Sequence, residues 1–227
     1  MKKLLFTIGI ASLLFSGVTA QKTVIGTVDY KYTLVGEGAG QMSAMMPKKM
    51  QIKYGENGVS IEMQGGAMSE AMGKTIVNGE TGEAFIVRES EKTVYLMSEE
   101  YIKAEAENLE DPVIQEFDDT KEILGYPCKK YTQTIKVQGK NMTQVLWITK
   151  ELAAPDYESD EFMGLASQGT VNFDIDGFPM LIEVDMMGAP MKLQLEVSNI
   201  KFEKIPSSTF ERPADYTVKN FEDLKLF

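Results

Sequence analysis

Residues 169–216 constrain this chain most. An apolar side chain stands at every second position: Val171, Phe173 and Ile175, then Met180, Ile182, Val184 and Met186, then Met191, Leu193, Leu195 and Val197. A period of two puts those side chains on one face of an extended strand and the polar ones on the other. Helical packing needs a period near 3.6, so this stretch predicts antiparallel strands with one apolar face. After Val197 the phase slips by one, and Ile200 and Phe202 carry the apolar side. A β-bulge near Ser198 and Asn199 accounts for the slip, and bulges bend sheets.

The rest of the chain repeats this grammar. Residues 23–35 alternate as one long strand, with Val28, Tyr30, Tyr32 and Leu34 on one side. Residues 49–54 and 59–64 flank Gly55-Glu56-Asn57-Gly58, which marks a hairpin. Short strands follow at 75–77, 84–88 and 93–97. Residues 122–149 form a second hairpin that turns at 138–141. Residues 98–108 admit a helix capped by Ser98 or a strand through Tyr101-Ile102-Lys103; the strand is the reading taken, with an acidic loop after it. Residues 155–165 read as a short helix. Pro155 suits the first helical position, and Tyr157, Phe162 and Leu165 supply an apolar side. The expected fold is therefore mainly β: a strongly curved antiparallel sheet, a half-open β-barrel, with a short helical lid. Residues 21–227 are expected to form one domain.

Residues 1–20 stand apart. Lys2 and Lys3 precede an apolar run, and Val18-Thr19-Ala20 offers a small-residue cleavage site. That is the pattern of a secretory signal peptide, too short for a membrane span. Gln21 rather than Cys follows it, so no lipid anchor is expected. The chain is expected to be exported, periplasmic or secreted, monomeric and not an integral membrane protein.

The formal charge is −11, and loss of residues 1–20 with their two lysines takes it to −13. Such acidity opposes binding to nucleic acid or to anionic headgroups. Cys128 is the one cysteine, so no internal disulfide forms. The chain has no histidine, which removes the usual catalytic triads, most zinc sites and any imidazole that would activate Cys128. We expect neither catalytic residues nor a cofactor. The run Asn172-x-Asp174-x-Asp176-Gly177, with Glu183 beyond it, approaches a calcium-loop pattern. That motif needs flanking helices, and these flanks alternate as strands. An Asp-Gly hairpin turn explains the same residues.

Several short motifs resemble a family of exported bacterial domains of unknown function. They are Ile123-x-Gly125-Tyr126-x-Cys128-Lys129-x-Tyr131, Trp147-Ile148-Thr149, Asp176-Gly177-Phe178-Pro179 and Phe210-x-x-Pro213-x-x-Tyr216. The last part is also similar to periplasmic lipoprotein carriers of the outer-membrane sorting type. The resemblance implies a half-open barrel with helices over an apolar concave face, which in the carriers holds acyl chains.

The chain holds 15 Met. Unbranched thioethers adapt to irregular apolar ligands. The leading expectation is a binding protein whose Met-rich concave face takes a hydrophobic small molecule or lipid. Phe173, Ile175, Met180, Ile182, Met191 and Leu193 are the expected face, with Trp147 nearby. Two alternatives stay open. Met42, Met45 and Met46 offer soft sulfur ligands for Cu(I), or the chain is a structural module that contacts envelope proteins and holds no ligand.

Overall fold

The computed structural model describes residues 21–107, 111–137, 140–155, 157, 175–186 and 190–224. Two meanders make up most of it. The first runs through β2 (Gly26–Gly36), β3 (Lys49–Tyr54), β4 (Gly58–Gln64), β5 (Lys74–Asn78), β6 (Glu83–Arg88) and β7 (Thr93–Met97). The second runs through β8 (Val113–Ile123), β9 (Tyr126–Val137), β10 (Lys140–Thr149), β12 (Phe178–Asp185) and β13 (Met191–Phe202). Antiparallel pairing of β2 with β13 joins them into one sheet, and β14 (Thr217–Asn220) adds a parallel strand beside β7. The full order is β14-β7-β6-β5-β4-β3-β2-β13-β12-β10-β9-β8. A two-residue parallel bridge between β1 (Lys22–Thr23) and β11 (Leu152–Ala153) lies apart.

The sheet curves without closing, since β14 and β8 are its two ends and do not pair. Three strand spacings separate β3 from β12, about 14 Å if flat. Yet the rings of Tyr54 and Phe178 stand edge to face with centroids 6.0 Å apart. Tyr30 on β2 likewise reaches past β13 to donate a 2.8 Å hydrogen bond to the Pro179 carbonyl. The expected bulge is present: Val197 pairs with Tyr30 and Asn199 with Asp29, leaving Ser198 unpaired. Ser198 Oγ donates to the Asp29 carbonyl at 3.0 Å, which ties the bulge down. With the slip, Val197 and Ile200 both face inward.

The concave side carries the main core, including Val28, Tyr30, Ile52, Tyr54, Val77, Leu146, Met180, Ile182 and Leu195. A second, smaller core lies on the convex side of the first meander. There Ile76, Phe85, Val87 and Val94 pack under Phe210, flanked by Ile205 and Tyr216. The segment after β13 is thus a strap across the outside of the sheet. Gly55 and Gly58 let Phe210 approach: a Cβ on Gly58 would lie 2.8 Å from Phe210 Cγ and 2.5 Å from the Val77 carbonyl oxygen.

Some readings of the sequence change. The expected strand through Tyr101-Ile102-Lys103 is instead a helix, α3 (Glu99–Glu107). Ser98 Oγ accepts from the Tyr101 amide at 3.1 Å, acidic Glu99 and Glu100 occupy the first turn, and Ile102 inserts into the core. Strand β8 has no counterpart in the sequence reading. The run 123–131, read as continuous strand, turns at Leu124 (φ 51°) and Gly125 (φ 84°), and Ile123 pairs with Tyr126. The stretch holding Met68, which reads as a small-residue loop, contains a short helical turn, α2 (Met68–Met72), and α1 (Ala39–Met42) overlaps residues 41–47, for which the sequence admits a loop or a turn of helix. Of the expected lid, only Pro155 and Tyr157 are described; the other residues of 155–165 lie outside the described residues, as do residues 1–20.

Candidate functional site

The concave face differs between its two ends. At the base stand the start of β2, the β3–β4 turn, the end of β7 and the start of β12. This end is sealed: Val24, Val28, Val59, Val77, Ile148, Leu152 and Phe178 are buried, and Ile102 of α3 fills in beside them. Tyr157 spans the β3–β4 turn, its hydroxyl 2.8 Å from the carbonyls of both Gly55 and Gly58. Burial raises the Tyr54 and Tyr157 phenols well above their ordinary value. The opposite end is looser. Tyr32, Ile61, Met63, Met142 and Leu193 face inward but stay only partly buried. Register joins the two meanders here, with Leu193 opposite Leu34 and Tyr32 opposite Leu195, while Met50 stands opposite Met63 within the first. We call this end the mouth.

Methionine concentrates at the mouth. Met42, Met45 and Met46 follow β2, Met68 and Met72 lie between β4 and β5, and Met63 is the penultimate residue of β4. From the second meander come Met142, Met186 and Met191. The Met68 amide donates to the Met45 carbonyl at 3.1 Å, which brings the first two loops together. These methionines stand far apart in sequence, and only the strand order brings them to one end of the sheet.

The expected face residues divide. Met180 and Ile182 face the core and are buried; Ile175 and Leu193 are partly buried against it. Met191 starts β13 at the mouth, opposite Gly36. Phe173 lies outside the described residues. Trp147 pairs with Leu181 and Lys130, whereas Leu146 pairs with Ile182. Trp147 therefore occupies the other side of the sheet from Ile182, where the Lys121 ammonium sits 4.2 Å above its ring. Met42 and Met45 are exposed, Met45 at 58%, and Met46 is half-buried. Sequence reasoning passed over Tyr32, Ile61, Met63 and Met142. Their signal was the same alternation, in strands that looked less apolar overall.

The remaining chemistry is sparse. Among the described residues, no group of three or more His, Cys, Asp or Glu is placed to hold a metal. Of the calcium-like run, Asn172 and Asp174 lie outside the described residues, and Glu183 in β12 accepts from Gln194 Nε2 at 2.6 Å. Cys128 is buried, its thiol donates to the Tyr126 carbonyl at 3.3 Å, and burial pushes its pKa up to about 11. A groove of about 380 Å³ lies at the base end, lined by Lys22, Glu56, Phe202, Glu203 and Lys204 among others. Lys22 Nζ stands 3.2 Å over the Phe202 ring, and Glu203 accepts from Thr27 Oγ1 at 2.9 Å and Lys201 at 2.6 Å. That groove mixes charged side chains with Ile25, Phe202 and Ile205, and Lys22 and Glu203 are already engaged by their neighbours. Among the described residues, no helix is long and apolar enough to cross a membrane.

Residues 37–216 match the model of a family described as a domain of unknown function, DUF4412. No curated protein matches the chain significantly. Among solved structures, an uncharacterized conserved protein from Thermus thermophilus superposes with a TM-score of 0.45 at 9% identity, over 86% of this chain and 90% of that one. A putative outer membrane lipoprotein-sorting protein domain from Vibrio parahaemolyticus gives 0.28 at 10% identity, over 82% and 89%. At these scores neither neighbour bears on what this chain does.

Proposed function

The chain belongs to the DUF4412 family, and we propose that it is a non-enzymatic, exported binding protein for a hydrophobic or lipid-like ligand. The ligand enters at the Met-rich mouth and lies along the concave face. One observation carries this reading: the concave core is tight at the base but leaves Tyr32, Ile61, Met63, Met142 and Leu193 half-buried at the mouth. A self-sufficient core would bury such side chains as completely as Ile182 or Leu146. Burying apolar area is worth about 25 cal/mol per Å², so a ligand chain laid over these groups gains affinity without directional chemistry. Met side chains around the rim adapt to different chain shapes. The lysine pair and apolar run before Gln21 support export.

Displacement of the fluorescent apolar probe N-phenyl-1-naphthylamine tests the reading. Mature protein should enhance the probe's emission. Leu193→Asp should weaken binding at least about tenfold, because it puts a carboxylate into apolar surroundings. Val35→Asp, on the exposed convex side of the neighbouring strand β2, should change it little. Replacing Met42, Met45 and Met46 by Leu keeps apolar volume, so probe binding should persist. Equal loss in the Leu193 and Val35 variants, or no enhancement at all, would reject the concave face as the site.

A further inference from the structure

Two buried amide side chains stand in the apolar phase of the second meander. Gln133 on β9 and Gln144 on β10 are register partners, and Gln144 also faces Val184 of β12. They share the inward parity of Tyr131, Leu146 and Ile182. Both are buried, Gln133 at 0% and Gln144 at 1% exposure. Gln144 Nε2 donates to Gln133 Oε1 at 2.6 Å. Among the described residues, Gln144 Oε1 accepts no hydrogen bond.

A buried amide costs stability unless its donors and acceptors are met. Leucine or methionine at these positions would continue the flanking pattern, so the amides oppose folding economy where they stand. They also sit in the mouth half of the face, beside Met142 and Val184. We infer that this amide pair is the polar anchor of the ligand site, with Gln144 Oε1 accepting a hydrogen bond from a neutral donor on the ligand. The inference rests on the apolar-face reading and narrows it. The ligand class is an apolar chain bearing an uncharged hydrogen-bond donor such as a hydroxyl. An ionised fatty acid is disfavoured, because a carboxylate carries acceptors only and would meet Oε1 acceptor to acceptor. An apolar chain without a donor would leave Oε1 unmet.

The test is displacement of N-phenyl-1-naphthylamine from the mature protein by 1-dodecanol and by dodecyl methyl ether. The two match in chain and oxygen, but only the alcohol donates. Wild type should prefer the alcohol by about tenfold, the scale of one hydrogen bond to a buried group. The double variant Gln133→Met, Gln144→Met removes both amides at similar volume, so neither is left orphaned, and the two ligands should then bind alike. Equal binding by wild type, or a preference that survives in the double variant, would overturn the anchor and leave the apolar face standing. Failure of both ligands to displace the probe would overturn the apolar face and the anchor together.

Discussion

At Cys128 the fold works against reactivity. Its thiol is buried and bonded to the Tyr126 carbonyl, and its pKa rises from an ordinary 9.0 to about 11. Only the thiolate attacks, so a neutral-pH disulfide reagent should leave native protein unlabelled and label the unfolded chain fully. The same shift sets a pH dependence. The unfolded chain releases this proton near 9 and the folded one near 11, so the fold binds more protons in between. Stability should fall as pH rises from 9 to 11, in the same direction as the raised phenols of Tyr30, Tyr54 and Tyr157 drive it. Denaturant midpoints measured across that range check it; a flat profile would contradict it. Gly58 was legible as a turn residue, but it is also hemmed in by the Val77 carbonyl and by the Phe210 ring, which is far along the chain. Gly58→Ala should cost about 1–3 kcal/mol, by overpacking rather than by backbone strain.

Strands with clean alternation were legible, and elements defined by distant partners were not. β12, β13 and the bulge at Ser198 followed from period and phase alone, because one face of each strand is buried. α3 was misread because it is short and, among its described side chains, Ile102 alone is deeply buried and apolar, which leaves almost no helical stripe. Its cap and acidic first turn held the answer. β8 escaped because its free edge is charged: Glu116, Asp118, Asp119 and Glu122 mask the alternation, as edge strands often require. The strap over the convex face left no periodic trace, since Phe210, Pro213 and Tyr216 pack on strands far away in sequence. The motif Phe210-x-x-Pro213-x-x-Tyr216 now has a physical basis. Phe210 fills the outer core, the Tyr216 amide donates to the Pro213 carbonyl at 3.4 Å, and the Tyr216 hydroxyl bonds Glu89. Phe210→Ala should destabilise the protein by about 3–5 kcal/mol. It should not alter probe affinity in the folded protein, because the strap and the mouth lie on opposite faces; urea unfolding with probe titration separates the two effects.

For the whole molecule, joining β2 to β13 is the decisive step. It places the first and second meanders side by side and bends them around one concave core. The inward side of individual strands was readable, and so was the Met content. The mouth was not, because it exists only once Leu193 faces Leu34 and the Met63, Met142 and Met191 strand ends come to the same end of the sheet. Gln133 and Gln144 show the same limit: each was an ordinary polar residue in sequence, and their pairing makes them a buried polar spot in an apolar wall. The central claim is that this wall receives a hydrophobic ligand. Native mass spectrometry of the exported protein, purified without detergent, tests it most directly. The expected spectrum shows the mature chain with an added mass that organic extraction removes, and a Leu193→Asp variant that lacks that mass. A wild-type spectrum of the bare chain alone, with no mass gained on incubation with 1-dodecanol, would contradict the account.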